Sequence, residues 1–154
     1  MNEQTSDLKA TLRSDLTGSI RARDTVRSST VRMALTAISN AEVAGKEHRD
    51  LSDDEVVAVV AKEAKRRREA SLAYADAGRP ELAQAEDAEL AILQEYLPAQ
   101  LGDAELDQLA REAVDEVGAT SMAQMGQVMK VAQPKVAGRA EGGRIAAAVK
   151  RALA

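Results

Sequence analysis

The chain has 154 residues, 45% of them hydrophobic, which is enough for one packed domain or two small ones, and a net charge of −4, which argues against indiscriminate coating of nucleic acid while leaving room for a local basic face. There is no Cys, so disulfides, thiolate metal sites and thiol nucleophiles are excluded together, and with a single histidine, His48, no zinc site is expected. Without Phe or Trp the core must be built from Leu, Val, Ile, Met and Ala, which suits closely packed helices and predicts an all-α protein.

Leu8, Leu12, Leu16 and Ile20 recur at intervals of four and predict a first amphipathic helix over about residues 6–22. The pattern resets near residues 21–24. Val26, Thr30, Met33, Ala37, Ile38 and Ala41 then predict a second helix ending near Gly45. The polar residues 45–50 read as a loop, and His48 within it as solvated surface.

The clearest start signal follows: Ser52-Asp53-Asp54-Glu55 fits a capping box, with Leu51 and Val56 in the two positions of a hydrophobic staple. Val56, Val57, Val60, Ala61, Ala64, Ser71, Leu72 and Ala75 share one arc, so this helix is expected to run about 25 residues, to Gly78. Lys62, Lys65, Arg66 and Glu69 lie opposite. The same arithmetic turns Arg68 toward the apolar arc, where its guanidinium needs a carboxylate, most naturally a Glu of the next helix. That helix is predicted from Pro80 through Leu97, with an acidic first half carrying Glu81, Glu86, Asp87 and Glu89, antiparallel to its predecessor.

Tyr96-Leu97-Pro98 breaks the pattern and predicts a boundary between an N-terminal domain, residues 1–98, and a C-terminal one, residues 99–154. Leu106, Leu109, Ala110, Ala113, Val114 and Val117 make another helix closed by Gly118. Met122, Met125, Met129 and Ala132 make a short one with Ser121 as its N-cap and Pro134 as its stop, the methionines reading as core filler. Gly126 lies inside it, which predicts close approach of another helix. Gly138, Gly142 and Gly143 are expected to turn the chain sharply around Arg139 and Glu141 before Ile145, Ala148, Val149 and Ala152 begin a last helix.

Chemistry-bearing patterns are few. No glycine-rich phosphate loop is visible, so no cofactor is expected, and the serines lack the G-x-S-x-G and S-x-x-K signatures of nucleophiles. The run from Lys62 to Glu69 can contact phosphate through Lys65 and Arg66, although Glu63 with Arg67 and Lys65 with Glu69 are i,i+4 pairs that also suit a plain solvated face. A second basic set comprises Lys130, Lys135, Arg139, Arg144, Lys150 and Arg151, of which Arg139, flanked by glycines, is either packed between helices or presented to a ligand. No apolar run approaches the ~20 residues needed to span a bilayer, and the polar start lacks signal-peptide character; a cytoplasmic chain without a membrane partner is expected.

Taken in order, Ala22-Arg23-Asp24, Leu51 to Glu55, Lys62 to Glu69, Ala77-Gly78-Arg79, Glu89-Leu90 with Leu93, Tyr96-Leu97-Pro98, Gly118-Ala119, Met125-Gly126-Gln127-Val128-Met129 and Gly138-Arg139-Ala140-Glu141-Gly142 resemble the YqeY proteins, essentially end to end. Their C-terminal part is related to the tail of GatB, a subunit of the glutamine-dependent aspartyl/glutamyl-tRNA amidotransferase. Glu141 stands where the family pattern usually carries Asp. The resemblance implies an N-terminal helical hairpin or bundle followed by a small GatB-tail-like helical module, and a link to tRNA, because the related tail and a similar appendage on some glutaminyl-tRNA synthetases help hold tRNA. It also implies an association with carbon-nitrogen ligase activity using glutamine as amide donor, whose amidase chemistry belongs to a different subunit.

These readings combine into one expectation: an accessory protein without its own catalytic centre that contacts tRNA or other structured RNA by shape, through Lys62, Lys65, Arg66, Lys130, Lys135 and Arg139, with Arg68, Gly126, Gly138 and Glu141 in structural roles. An amidotransferase or aminoacyl-tRNA synthetase is the expected protein partner. The alternatives are a subunit or stimulator of a glutamine-dependent amidotransferase, and a protein-interaction module built on the acidic helix.

Overall fold

The computed structural model describes residues 7–154; the predicted helix start at Ser6 lies outside them. Among the described residues there are seven α-helices, one 3-10 turn and no strand: α1 (Asp7–Arg21), α2 (Thr25–Glu42), α3 (Asp53–Asp76), α4 (Pro80–Gln94), α5 (Asp103–Val117), the turn Met122–Gln124, α6 (Met125–Val136) and α7 (Gly142–Leu153). They fall into two compact units, Met1–Leu97 and Pro98–Ala154.

In the first unit, α1 and α2 form an antiparallel pair closed on one side by α3. Leu12, Val31, Ile38, Val56, Val60 and Leu93 are almost wholly buried at its centre. On α1 the stripe ends earlier than predicted: Ile20 is 51% exposed, and buried Ser19 faces Ser28 of α2, the two hydroxyl oxygens lying 3.0 Å apart. The α2 stripe is also rotated. Thr30, Val31, Ala34 and Ile38 are buried, whereas Val26 and Met33 are each 47% exposed. The cause is packing on two sides, since α2 touches α1, α3 and α4, and the 30-31-34-38 arc serves all three.

Helix α3 begins as its sequence predicts. The Ser52 hydroxyl accepts from the Glu55 amide and the Glu55 carboxylate accepts from the Ser52 amide, a complete capping box, while Leu51 and Val56 close the staple in buried positions. Its end is a Schellman turn with Gly78 at φ +73. Beyond Ala64, α3 leaves the core cluster and packs mainly on α4, so the outer half of this hairpin is a two-helix arm with small buried contacts, Ser71 and Ala83, and with Leu72 63% exposed rather than packed. Helix α4 stops at Gln94, and residues 95–97 continue as turns.

The second unit has its own core of Leu106, Ala110, Ala113, Val128, Val136 and Val149, shared by α5, α6 and α7. Three expectations fail here. Gly126 sits exposed in the first turn of α6, and a Cβ added there meets nothing within 4 Å, so no neighbouring helix approaches it. Pro134 lies inside α6 rather than ending it. The carbonyl that loses its donor belongs to exposed Lys130, where water can satisfy it, and the helix runs on to Val136. The sharp turn is made by Ala137 and Gly138, at φ +51 and +76; Gly142 and Gly143 instead form the first turn of α7.

Candidate nucleic-acid interface

Four helical positions, 62, 65, 66 and 69, fall on one side of α3, and their side chains are exposed; positions 60, 64, 67 and 71 fall on the other and are buried. The arginine that turns inward is therefore Arg67, not Arg68. Arg68 is only partly buried, whereas Arg67 is 6% exposed. The predicted partner class holds. Arg67 Nε donates to Glu89 of α4 at 3.0 Å, a terminal nitrogen donates to Glu63 at 3.1 Å, and Glu86 lies 3.8 Å away. One guanidinium thus ties the base of the α3–α4 arm. The sequence carried the signal in the 56-60-64-67-71 spacing, which a stripe drawn through Leu72 and Ala75 obscures.

Three carboxylates around one guanidinium leave Glu86 poorly served. Its Oε2 is buried without a hydrogen bond, and burial, followed by the adjacent Glu89 charge, holds its carboxyl above the usual range.

With Arg67 holding these carboxylates, the outward cations are weakly restrained. Lys62 makes no ion pair among the described residues. Lys65 is 3.9 Å from Glu69, and Arg66 is 3.3 Å from Glu63, whose other oxygen is taken by Arg67. The Lys65–Glu69 pair is exposed on both sides and worth about 0–1 kcal/mol, so a phosphate can displace it, and in the Arg66–Glu63 pair the arginine is the exposed partner.

The second basic set is largely engaged inside its own unit. Lys135 pairs with Glu116 at 3.0 Å, and Arg151 with Asp107 at 2.6 Å. Arg144 pairs with Asp103 at 2.9 Å and also donates to the Leu101 carbonyl oxygen at 2.9 Å. Arg139 folds back onto the end of α6, donating to the Val136 and Lys135 carbonyl oxygens at 2.9 and 2.8 Å, while its own carbonyl accepts from the Leu101 amide at 2.8 Å. Its guanidinium caps a helix and borders an open, mostly apolar depression lined by Leu101, Ala104 and Leu109. Glu141 is the N-cap residue of α7. Exposed Lys130 and Lys150 remain without ion pairs among the described residues. The outward cations of α3 thus share one helix face, whereas in the second basic set Lys135, Arg139, Arg144 and Arg151 are engaged within their own unit.

Glu42, His48 and Asp50 bring potential ligand atoms within 4.8 Å of one another. The Glu42 carboxylate is already held by Lys9 at 2.7 and 2.9 Å and by the Leu51 amide at 3.2 Å, contacts that hold its carboxyl below the usual range, Lys9 foremost. His48 itself is exposed, 2.9 Å from Asp50. Tyr96 is half-buried, and its hydroxyl donates to Asp15 at 2.6 Å; burial and that carboxylate push it up to about 12. No helix among the described residues is long and apolar enough to cross a membrane.

The family model for Yqey-like proteins matches residues 9–153, nearly the whole chain. A search of curated proteins found no match.

Proposed function

The chain belongs to the YqeY family, and on that footing we propose that it is an accessory protein that binds structured RNA, tRNA foremost, and works alongside tRNA-dependent amidotransferase systems by binding rather than by chemistry of its own. The observation that supports this reading is the segregation of charge on α3. Arg67 gathers the carboxylates on the inner side, and Lys62, Lys65 and Arg66 stand exposed on the outer side in weak or no ion pairs. Lysine and arginine on one face of a rigid helix follow a phosphate backbone without reading bases. Base stacking contributes little, since the chain has two Tyr and no Phe or Trp. Lys130 is the exposed, unpaired candidate of the second unit, whereas Lys135 must first leave Glu116 and Arg139 must first uncap α6.

Titration of the full chain with unfractionated tRNA across a salt series tests the reading. Affinity is expected to fall steeply with salt, and K62A/K65A/R66A to lose roughly tenfold or more at low salt while lowering the salt slope by about 2 to 3. Absence of binding at low salt, or a triple variant indistinguishable from wild type, would remove the basis for the proposal.

A further inference from the structure

The corner between α1 and α2 places an arginine where the backbone favours glycine. The Asp24 amide donates to the Ser19 carbonyl oxygen at 2.9 Å and the Arg23 amide to that of Ile20 at 3.1 Å, the two bonds of a Schellman turn, with Arg23 in the left-handed position at φ +57. The chain builds the same turn at the end of α3, where the Arg79 amide donates to Tyr74 and the Gly78 amide to Ala75, and there the left-handed residue is Gly78. A non-glycine residue at such a position is strained, and strain of this kind gathers where a side chain has work to do.

The surroundings keep that side chain available. Arg21 and Arg23 are exposed, and neither makes an ion pair or side-chain hydrogen bond among the described residues. Asp24, the acid of the corner, is engaged elsewhere: it accepts from the Arg27 amide at 3.0 Å as the N-cap of α2 and lies 3.7 Å from the Arg27 Nε. Arg27 is itself held by Glu95 at 2.7 Å. The Ser28 hydroxyl, 2.8 Å from the Asp24 carbonyl oxygen and 3.0 Å from the Ser19 hydroxyl oxygen, packs the corner from within and fixes the backbone that carries the two arginines. Half-exposed Ile20 and Val26 neighbour them in the chain.

We infer that this corner is a second phosphate-binding surface for structured RNA, with Arg21 and Arg23 as its contacts. The inference rests on the RNA-binding reading proposed for α3 and extends it to a second element of the same unit. Guanidinium groups, unlike ammonium groups, match phosphate oxygens two at a time, which suits a fixed corner better than a mobile tail.

The choice of variants separates contact from structure. Arg23→Gly removes the cation and relieves the left-handed strain, so the melting midpoint should stay the same or rise by up to about 3 °C. R21A/R23G should nevertheless lose about fivefold to tenfold in affinity for unfractionated tRNA at low salt and lower the salt slope by about 1 to 2. Arg23→Asn, which also tolerates the left-handed region, should behave like Arg23→Gly, and guards against an unexpected effect of glycine on folding. If R21A/R23G binds tRNA within twofold of wild type while K62A/K65A/R66A is impaired, the corner inference is overturned and the α3 reading stands. If wild type binds no tRNA, both fall. Loss by R21A/R23G of binding to vesicles containing phosphatidylserine, with tRNA binding intact, would assign the corner to a lipid surface and overturn the inference as well.

Discussion

At the scale of single residues, Arg67 organises the first unit and Arg68 does not. A buried guanidinium with three carboxylates around it is costly to remove, because Glu86 and Glu89 lose their counter-charge and Glu63 keeps only Arg66. Arg67→Met should therefore destabilise the chain by about 3 kcal/mol in urea unfolding at pH 7, whereas Arg68→Ala, at a partly exposed position, should change stability by less than about 1 kcal/mol. Equal effects would contradict the assignment. Glu86 gives the opposite sign. Its folded-state carboxyl is held above its ordinary value of 4.5, first by burial and then by Glu89, so the folded chain holds the proton more tightly than the unfolded chain does. Ionisation of Glu86 thus weakens the fold as pH rises through the folded value, and the effect disappears below the unfolded one. Glu86→Gln should stabilise by roughly 1 kcal/mol at pH 7 and by little at pH 4. The residue types of this network were legible in the sequence, since Glu63 with Arg67 is an i,i+4 pair and α4 is acidic. Which of four consecutive basic residues turns inward was not, because one residue along a helix is 100° of rotation and the choice depends on where α2 and α4 lie.

At the scale of elements, helix starts and stops were the most legible features. The capping box at Ser52, the proline at the start of α4 and the glycine closing α5 each act through local backbone chemistry, and each stands where the sequence placed it. Stripes were less legible wherever a helix packs on more than one neighbour, as α2 does. The outer half of α3 misleads for another reason: its apolar residues include Leu72, which packs on no core. The second unit misled through its punctuation. Gly126 and Pro134 read as a packing contact and a stop, yet both are exposed positions within α6. Since a Cβ at Gly126 meets open space, Gly126→Ala should stabilise by about 0.5–1 kcal/mol, measured as a rise in the thermal midpoint. A fall would show that another surface does approach this turn.

At the scale of the whole molecule, the net charge of −4 hides the arrangement that matters. Within the first unit Arg67 draws Glu63, Glu86 and Glu89 to the inner side of α3, while exposed cations stand on the outer side of α3 and at the α1–α2 corner. All-α architecture followed from composition, because alanine-rich chains without Phe or Trp pack helices closely. The candidate site was only half legible. The sequence nominated the exposed lysines of α3 correctly as surface, but it could not show that Arg139 caps α6 or that Lys135 already faces Glu116, since both depend on tertiary placement. The most direct measurement is lysine footprinting of the full chain with and without tRNA, read residue by residue by mass spectrometry. Lys62 and Lys65 should lose reactivity on tRNA binding while Lys46 and Lys150 keep theirs; protection confined to Lys130, Lys135 and Lys150, with α3 unchanged, would contradict the account.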